Sequence, residues 1–173
     1  CLTLTVGIGC GIWMAWRRNG PLDVGGTIVG LIFQAAPPFI TGLLLLMVLS
    51  YRLGLFPTGG MYPPGQRPDS LLELLIMPAF WERIVLPTIT VGAYYLATPM
   101  LVMRDSMLEV LGSDYIELAK AKGLKPRIVM FRHAARNALL GVVTLASIMV
   151  GFAVGGQVVV ESLFSWPGMG QLM

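Results

Sequence analysis

The chain has 173 residues, 55% hydrophobic and 12% charged, with a mean hydropathy of +0.76 and a formal net charge of +3. Soluble domains carry about 25% charged residues, so an ordinary water-facing surface is excluded and the count of membrane spans becomes the first question. At roughly 20 apolar residues per crossing of about 30 Å of hydrocarbon, about three or four spans are the ceiling.

The segment Cys1–Trp16 is apolar but too short to cross alone at about 1.5 Å of rise per residue. Its basic pair, Arg17 and Arg18, follows the apolar run, whereas a signal peptide carries its charge first; the segment reads as the C-terminal part of a longer helix. Cys1 and Cys10 have no metal-ligand spacing and no disulfide framework around them, so they read as small apolar helix residues. Gly7, Gly9 and Gly11 precede no βαβ unit, which removes a nucleotide-loop reading. Val24–Tyr51 is free of charge, with a strongly apolar centre at Thr27–Leu49. Pro37 and Pro38 interrupt it, a break that membrane helices tolerate where neighbours or a cavity supply partners; it reads either as a kink in a packed bundle or as a bend lining a substrate path.

Phe56–Trp81 is rich in turn formers, with Ser70–Met77 spaced as a short interfacial helix and Tyr62, Phe80 and Trp81 suited to the aromatic belt at the water boundary. Ile84–Met103 is the next span. Arg104–Arg136 is the long polar stretch, and Asn137–Val160 is the third full span, with Gly151 and Gly155 in a small-xxx-small pattern that favours close helix packing. Glu161–Met173 opens a turn-like exit. Nine Lys and Arg fall in or beside the segments 17–18 and 104–136, against three (Arg52, Arg67, Arg83) around the intervening loop. The positive-inside rule therefore puts 104–136 in the cytoplasm.

Within that stretch, Asp114 and Glu117 have capping-box spacing. Gly123 followed by Leu124 suits a left-handed helix stop, and Pro126 suits the first turn of a second helix, Arg127 to about Asn137. The pattern is a short closed helix, a glycine corner and a basic helix entering the membrane. Apolar Tyr115, Ile116, Leu118 and Ala119 among its charges point to a protein-docking helix over a merely solvated loop, because they would bury only against another surface. The chain carries no metal spacing, nucleophile elbow or phosphate-binding lysine loop. Its one histidine, His133, reads as a structural hydrogen-bonding residue ahead of a proton relay.

Glu117-Leu118-Ala119, three residues and then Gly123 resemble the Glu-Ala-Ala-x-x-x-Gly motif of bacterial ABC importer permeases. The longer run Asp114–Leu140 is similar to the dipeptide, oligopeptide and nickel branch. Leu53–Gly60 (LGLFPTGG), Arg104–Leu111 (RDSMLEVL) and Val158–Leu172 resemble the first of its two permease subunits. The resemblance implies an all-α polytopic transmembrane bundle, 1–173 being a partial permease domain without its first and last helices, in a multi-pass bacterial inner-membrane protein. It implies a cytoplasmic coupling loop at 104–136 whose ATPase contacts are Asp114, Tyr115, Glu117, Ala119, Lys120, Ala121, Lys122, Gly123 and Leu124. The implied partners are a second permease subunit, two cytoplasmic ATPase subunits that bind ATP and Mg, an extracytoplasmic solute-binding protein and membrane lipid. No nucleic acid, no catalysis and no cofactor in this chain are expected. Two other classes remain open on the residues. An ion-driven secondary transporter should carry ionisable groups within its spans, and the three full spans have none; a non-transporting membrane scaffold would show no ATP-linked uptake.

The charge asymmetry yields a topology test. Single cysteines at Gln66 and at Lys125 of a Cys-free full-length protein should react with an impermeant maleimide from opposite faces of the membrane, Gln66 from outside. Reaction of both from one face contradicts the assignment.

Overall fold

Lipid offers no partner to a bare N–H or C=O, so a chain crosses it as helices or as a closed barrel, and the apolar runs here take the helical solution. The computed structural model describes residues 2–66, 68–154, 157–168 and 170. Its order is α1 (Leu2–Trp16), α2 (Pro21–Ala35), α3 (Pro38–Leu45) with a π-helical continuation (Leu46–Arg52), α4 (Leu71–Ile76) and α5 (Pro78–Leu111). Then follow α6 (Asp114–Ala121), α7 (Pro126–Ile128), a π-helical segment (Val129–Ala134), α8 (Ala135–Val154) and α9 (Val158–Leu163). No strand occurs among the described residues.

Among the described residues, Pro78–Leu111 and Pro126–Phe152, of 34 and 27 residues, are long and apolar enough to cross a membrane. The pair Pro21–Ala35 and Pro38–Arg52 makes a third if it counts as one broken span. The expected single run Val24–Tyr51 is thus two helices. Pro37 sits at φ −56°, ψ 136°, the extended conformation that a following proline imposes, and Pro38 restarts the helix at its first position. The span expected at Ile84–Met103 is longer in both directions. That expected at Asn137–Val160 is not one helix, because α8 ends at Val154 and Gln157 caps the separate α9.

The chain divides into two compact units, 1–35 with 95–150 and 36–94 with 151–173. In the first, α1 lies close against α5. A Cβ added at Gly11 would stand 2.5 Å from the Met100 carbonyl oxygen and 2.8 Å from Met103 Cβ, and one at Gly7 would stand 3.0 Å from the Leu96 oxygen. Gly7-xxx-Gly11 is therefore the small-residue seam that lets two backbones approach. The seam expected at Gly151 and Gly155 is not supported at Gly151, where an added Cβ would meet nothing within 4 Å; Gly155 lies outside the described residues, as do Cys1 and Arg67 and, from the motif Val158–Leu172, Met169, Gln171 and Leu172. Cys10 is a free, half-buried thiol.

The second unit is built around Phe164, 1% exposed, with Leu46, Leu86 and Val160. Its loop is tied to that centre: Gly60 N–H donates to the Phe164 carbonyl at 2.8 Å, and the Arg83 guanidinium donates to the Gly59 carbonyl. A cavity of about 570 Å³ lined by Tyr51, Tyr62 and Arg83 among others opens beside it. Phe80 is buried and packs on Trp166 with ring centroids 5.8 Å apart. Trp81 is exposed and donates from Nε1 to the Leu75 carbonyl.

Replacing Gly11 by Val should destabilise the detergent-solubilised full-length protein by roughly 1–3 kcal/mol, the usual range for overpacking. Gly9→Ala, where an added Cβ meets nothing within 4 Å, should be neutral or better. Equal thermal midpoints for Gly11→Val and the unmodified protein would show that the seam is not close-packed.

Candidate functional site

The polar stretch 104–136 is mostly helix. Its first residues, Arg104–Leu111, are the last turns of α5, and from Pro126 it is already the helix that becomes α8. Between them α6 stands as an eight-residue helix with a defined start and stop.

The start differs from the expected capping box. Ser113, at φ −82° and ψ 150°, is the N-cap, and Asp114 is the first helical residue. The Ser113 hydroxyl turns back to donate to the Val110 carbonyl at 2.5 Å, so no side chain caps α6. Asp114 and Glu117 still lie in the first turn and Lys120 in the last, the order that complements the helix dipole. Capping-box chemistry occurs at α4, where Ser70 Oγ accepts from Glu73 N–H at 3.2 Å and Glu73 Oε2 accepts from Asp69 N–H at 2.9 Å.

The stop is as expected. Gly123 has φ +76°, its N–H donates to the Lys120 carbonyl at 2.9 Å, and Leu124 N–H reaches back to Ala119 at 3.4 Å. Those two bonds are the Schellman pair that satisfies the last carbonyls of a helix. Lys125 then caps α7, with Pro126 in its first position.

Burial sorts the helix into two faces. Ile116 has no exposed surface and Ala119 only 7%; both enter the core of the first unit with Met103 and Met107 of α5 and Val129, Met130 and Ala134 of the basic segment. These two were expected to need an external surface and instead find one within their own chain, because i and i+3 share a face. Asp114, Tyr115, Glu117, Lys120, Ala121, Lys122 and Gly123 are exposed, and Leu124 is half-buried. Leu118 is 57% and Tyr115 40% exposed, with the Tyr115 hydroxyl accepting from Asn137 Nδ2 at 2.7 Å. Eight of the nine expected contact residues thus keep exposed surface, and Ala119 serves as an anchor. His133 is half-buried in the π-helical segment.

One constellation escaped the sequence reading. Asp23, in the first turn of α2, is 1% exposed, and its carboxylate takes two bonds from Arg104 of α5, Nε to Oδ1 at 2.5 Å and Nη2 to Oδ2 at 3.1 Å. Its legible signal was one acid and one arginine, each at the polar edge of an apolar run. Among the described residues no group of three or more His, Cys, Asp or Glu is placed to hold a metal.

Residues 7–173 match the family model of the binding-protein-dependent transport system inner membrane component. The chain is 42% identical over 173 residues to the oligopeptide transport system permease protein AppB of Bacillus subtilis, covering 99% of this chain and 52% of that protein. It is 37% identical over 170 residues to the glutathione transport system permease protein GsiC of Pectobacterium atrosepticum, covering 96% and 49%. The chain spans about half the length of the curated relatives it matches.

Proposed function

Because this chain belongs to the family of binding-protein-dependent inner-membrane transport components, we propose that it is the membrane-spanning core of a permease subunit in an ATP-driven importer of peptides or a similar small solute. The matched relatives bear the names of oligopeptide and glutathione permeases, which makes short peptides the substrate class of this reading. The stretch 104–136 is its coupling loop, and α6 is the element on which a cytoplasmic ATPase subunit docks. ATP and Mg are held by two such subunits, a second permease completes the path, and an extracytoplasmic binding protein delivers the solute.

The observation that carries the reading is the construction of α6. It is short, closed by its glycine corner, and seated by Ile116 and Ala119 on the roots of both long apolar helices, while Tyr115, Glu117 and Leu118 face outward. A docked partner that moves α6 therefore moves α5 and the helix continuing into α8, with little slack to absorb the displacement. ATP binding shifts the inward–outward equilibrium only by its differential affinity for the two states, and a stiff element delivers that difference to the membrane.

Replacing Gly123 by Val forces a β-branched residue into positive φ at a cost of about 1 kcal/mol or more. No neighbour lies within 4 Å of an added Cβ, so that cost is backbone alone. In the full-length complex reconstituted in proteoliposomes, Gly123→Val and Glu117→Lys should each abolish most oligopeptide uptake, with loss of ATPase association or of hydrolysis stimulated by loaded binding protein. Lys125→Arg should transport normally. Normal uptake and assembly in both variants would remove α6 from the coupling path.

A further inference from the structure

We propose that Asp23 and Arg104 are positioning residues that carry motion of α6 into α2, an inference that rests on the transport reading above. The pair is poorly explained as a stability device. Asp23 is 1% exposed and the Arg104 side chain 20%; a buried ion pair gains little over apolar residues of similar volume once desolvation is counted. What a two-bond guanidinium–carboxylate contact supplies is orientation, because the planar fork fixes both distance and angle.

Its place in the first unit gives that orientation a use. Arg104 stands between Met103 and Met107 on α5, both without exposed surface, and both pack in the core that holds Ile116 and Ala119 of α6. At its other end, Asp23 Oδ2 also accepts the Asn19 N–H at 3.0 Å. Asn19 is held in the left-handed conformation, φ 61°, so one carboxylate locks the α1–α2 turn as well as the first turn of α2. Arg104 Nη1 meets Asp105 at 2.8 Å, but that carboxylate is 70% exposed, and an exposed pair adds little. A displacement of α6 thus reaches α5 through apolar contact and passes from α5 to α2 through these two bonds.

The test uses the full-length permease with its partner subunits in proteoliposomes, assaying ATP hydrolysis, uptake of a radiolabelled oligopeptide or glutathione, and the amount of assembled complex. Asp23→Asn and Arg104→Gln should assemble and hydrolyse ATP, while solute transported per ATP falls roughly fivefold or more, the low end of allosteric coupling factors. The double variant should be no worse than either single change, as expected for two groups acting through one contact, and Asp105→Asn should be unchanged. Unchanged transport per ATP in both single variants overturns the proposal. So does a multiplicative loss in the double variant, or a fall in uptake and hydrolysis that only tracks lost assembly, which would make the pair a structural staple. Failure of the transport reading is separate, because the unmodified complex would then show no ATP-driven uptake in the same preparation.

Discussion

The burial of Ile116 and Ala119 against Met103 and Met107 is the constraint on which the rest of the polar end of the first unit depends. An eight-residue helix is too short to persist in water by itself, since isolated helices below about 12–15 residues are marginal. Here two apolar side chains one turn apart hold it against α5 and the segment 129–134, and the outward face is left free for polar and aromatic residues. Removing a fully buried Ile side chain typically costs about 2–5 kcal/mol when cut to Ala, more than the dipole and cap contributions of so short a helix. Tertiary anchoring, and not helix propensity, fixes α6.

The first unit uses two further devices suited to lipid, where apolar surface alone gives helices no reason to associate. Gly7 and Gly11 remove side chains so that α1 approaches the α5 backbone. Asp23 and Arg104 then set the orientation of α2 on the same helix through a directional two-bond contact. Close packing and one oriented ion pair both converge on α5, which also carries the seat of α6.

Much of this was legible in the residues. Charge asymmetry and long apolar runs gave the helical class, and Gly123 with Leu124 and Pro126 gave the corner, because positive φ and a missing N–H are strictly local demands. What failed was non-local. Asp114 and Glu117 have capping-box spacing, yet the N-cap is one residue earlier, at Ser113, whose hydroxyl donates to the Val110 carbonyl. Gly151 falls in a small-residue pattern as Gly7 and Gly11 do, yet a Cβ added there meets nothing within 4 Å, and spacing does not distinguish the two. Ile116 and Ala119 looked like docking residues until the fold supplied a partner surface within the chain. The Asp23–Arg104 contact joins residues 81 positions apart and has no local signature.

Docking of an ATPase subunit on the exposed face of α6, as proposed, is measured most directly by site-specific photo-crosslinking. A benzophenone amino acid placed at Leu118 of the full-length permease, in membranes carrying the partner subunits, should capture the ATPase subunit. The same probe at Gly65, in the loop assigned to the opposite face, should not. Capture of the ATPase from Gly65, or no ATPase adduct at Leu118 in complexes that assemble and transport, would contradict the account.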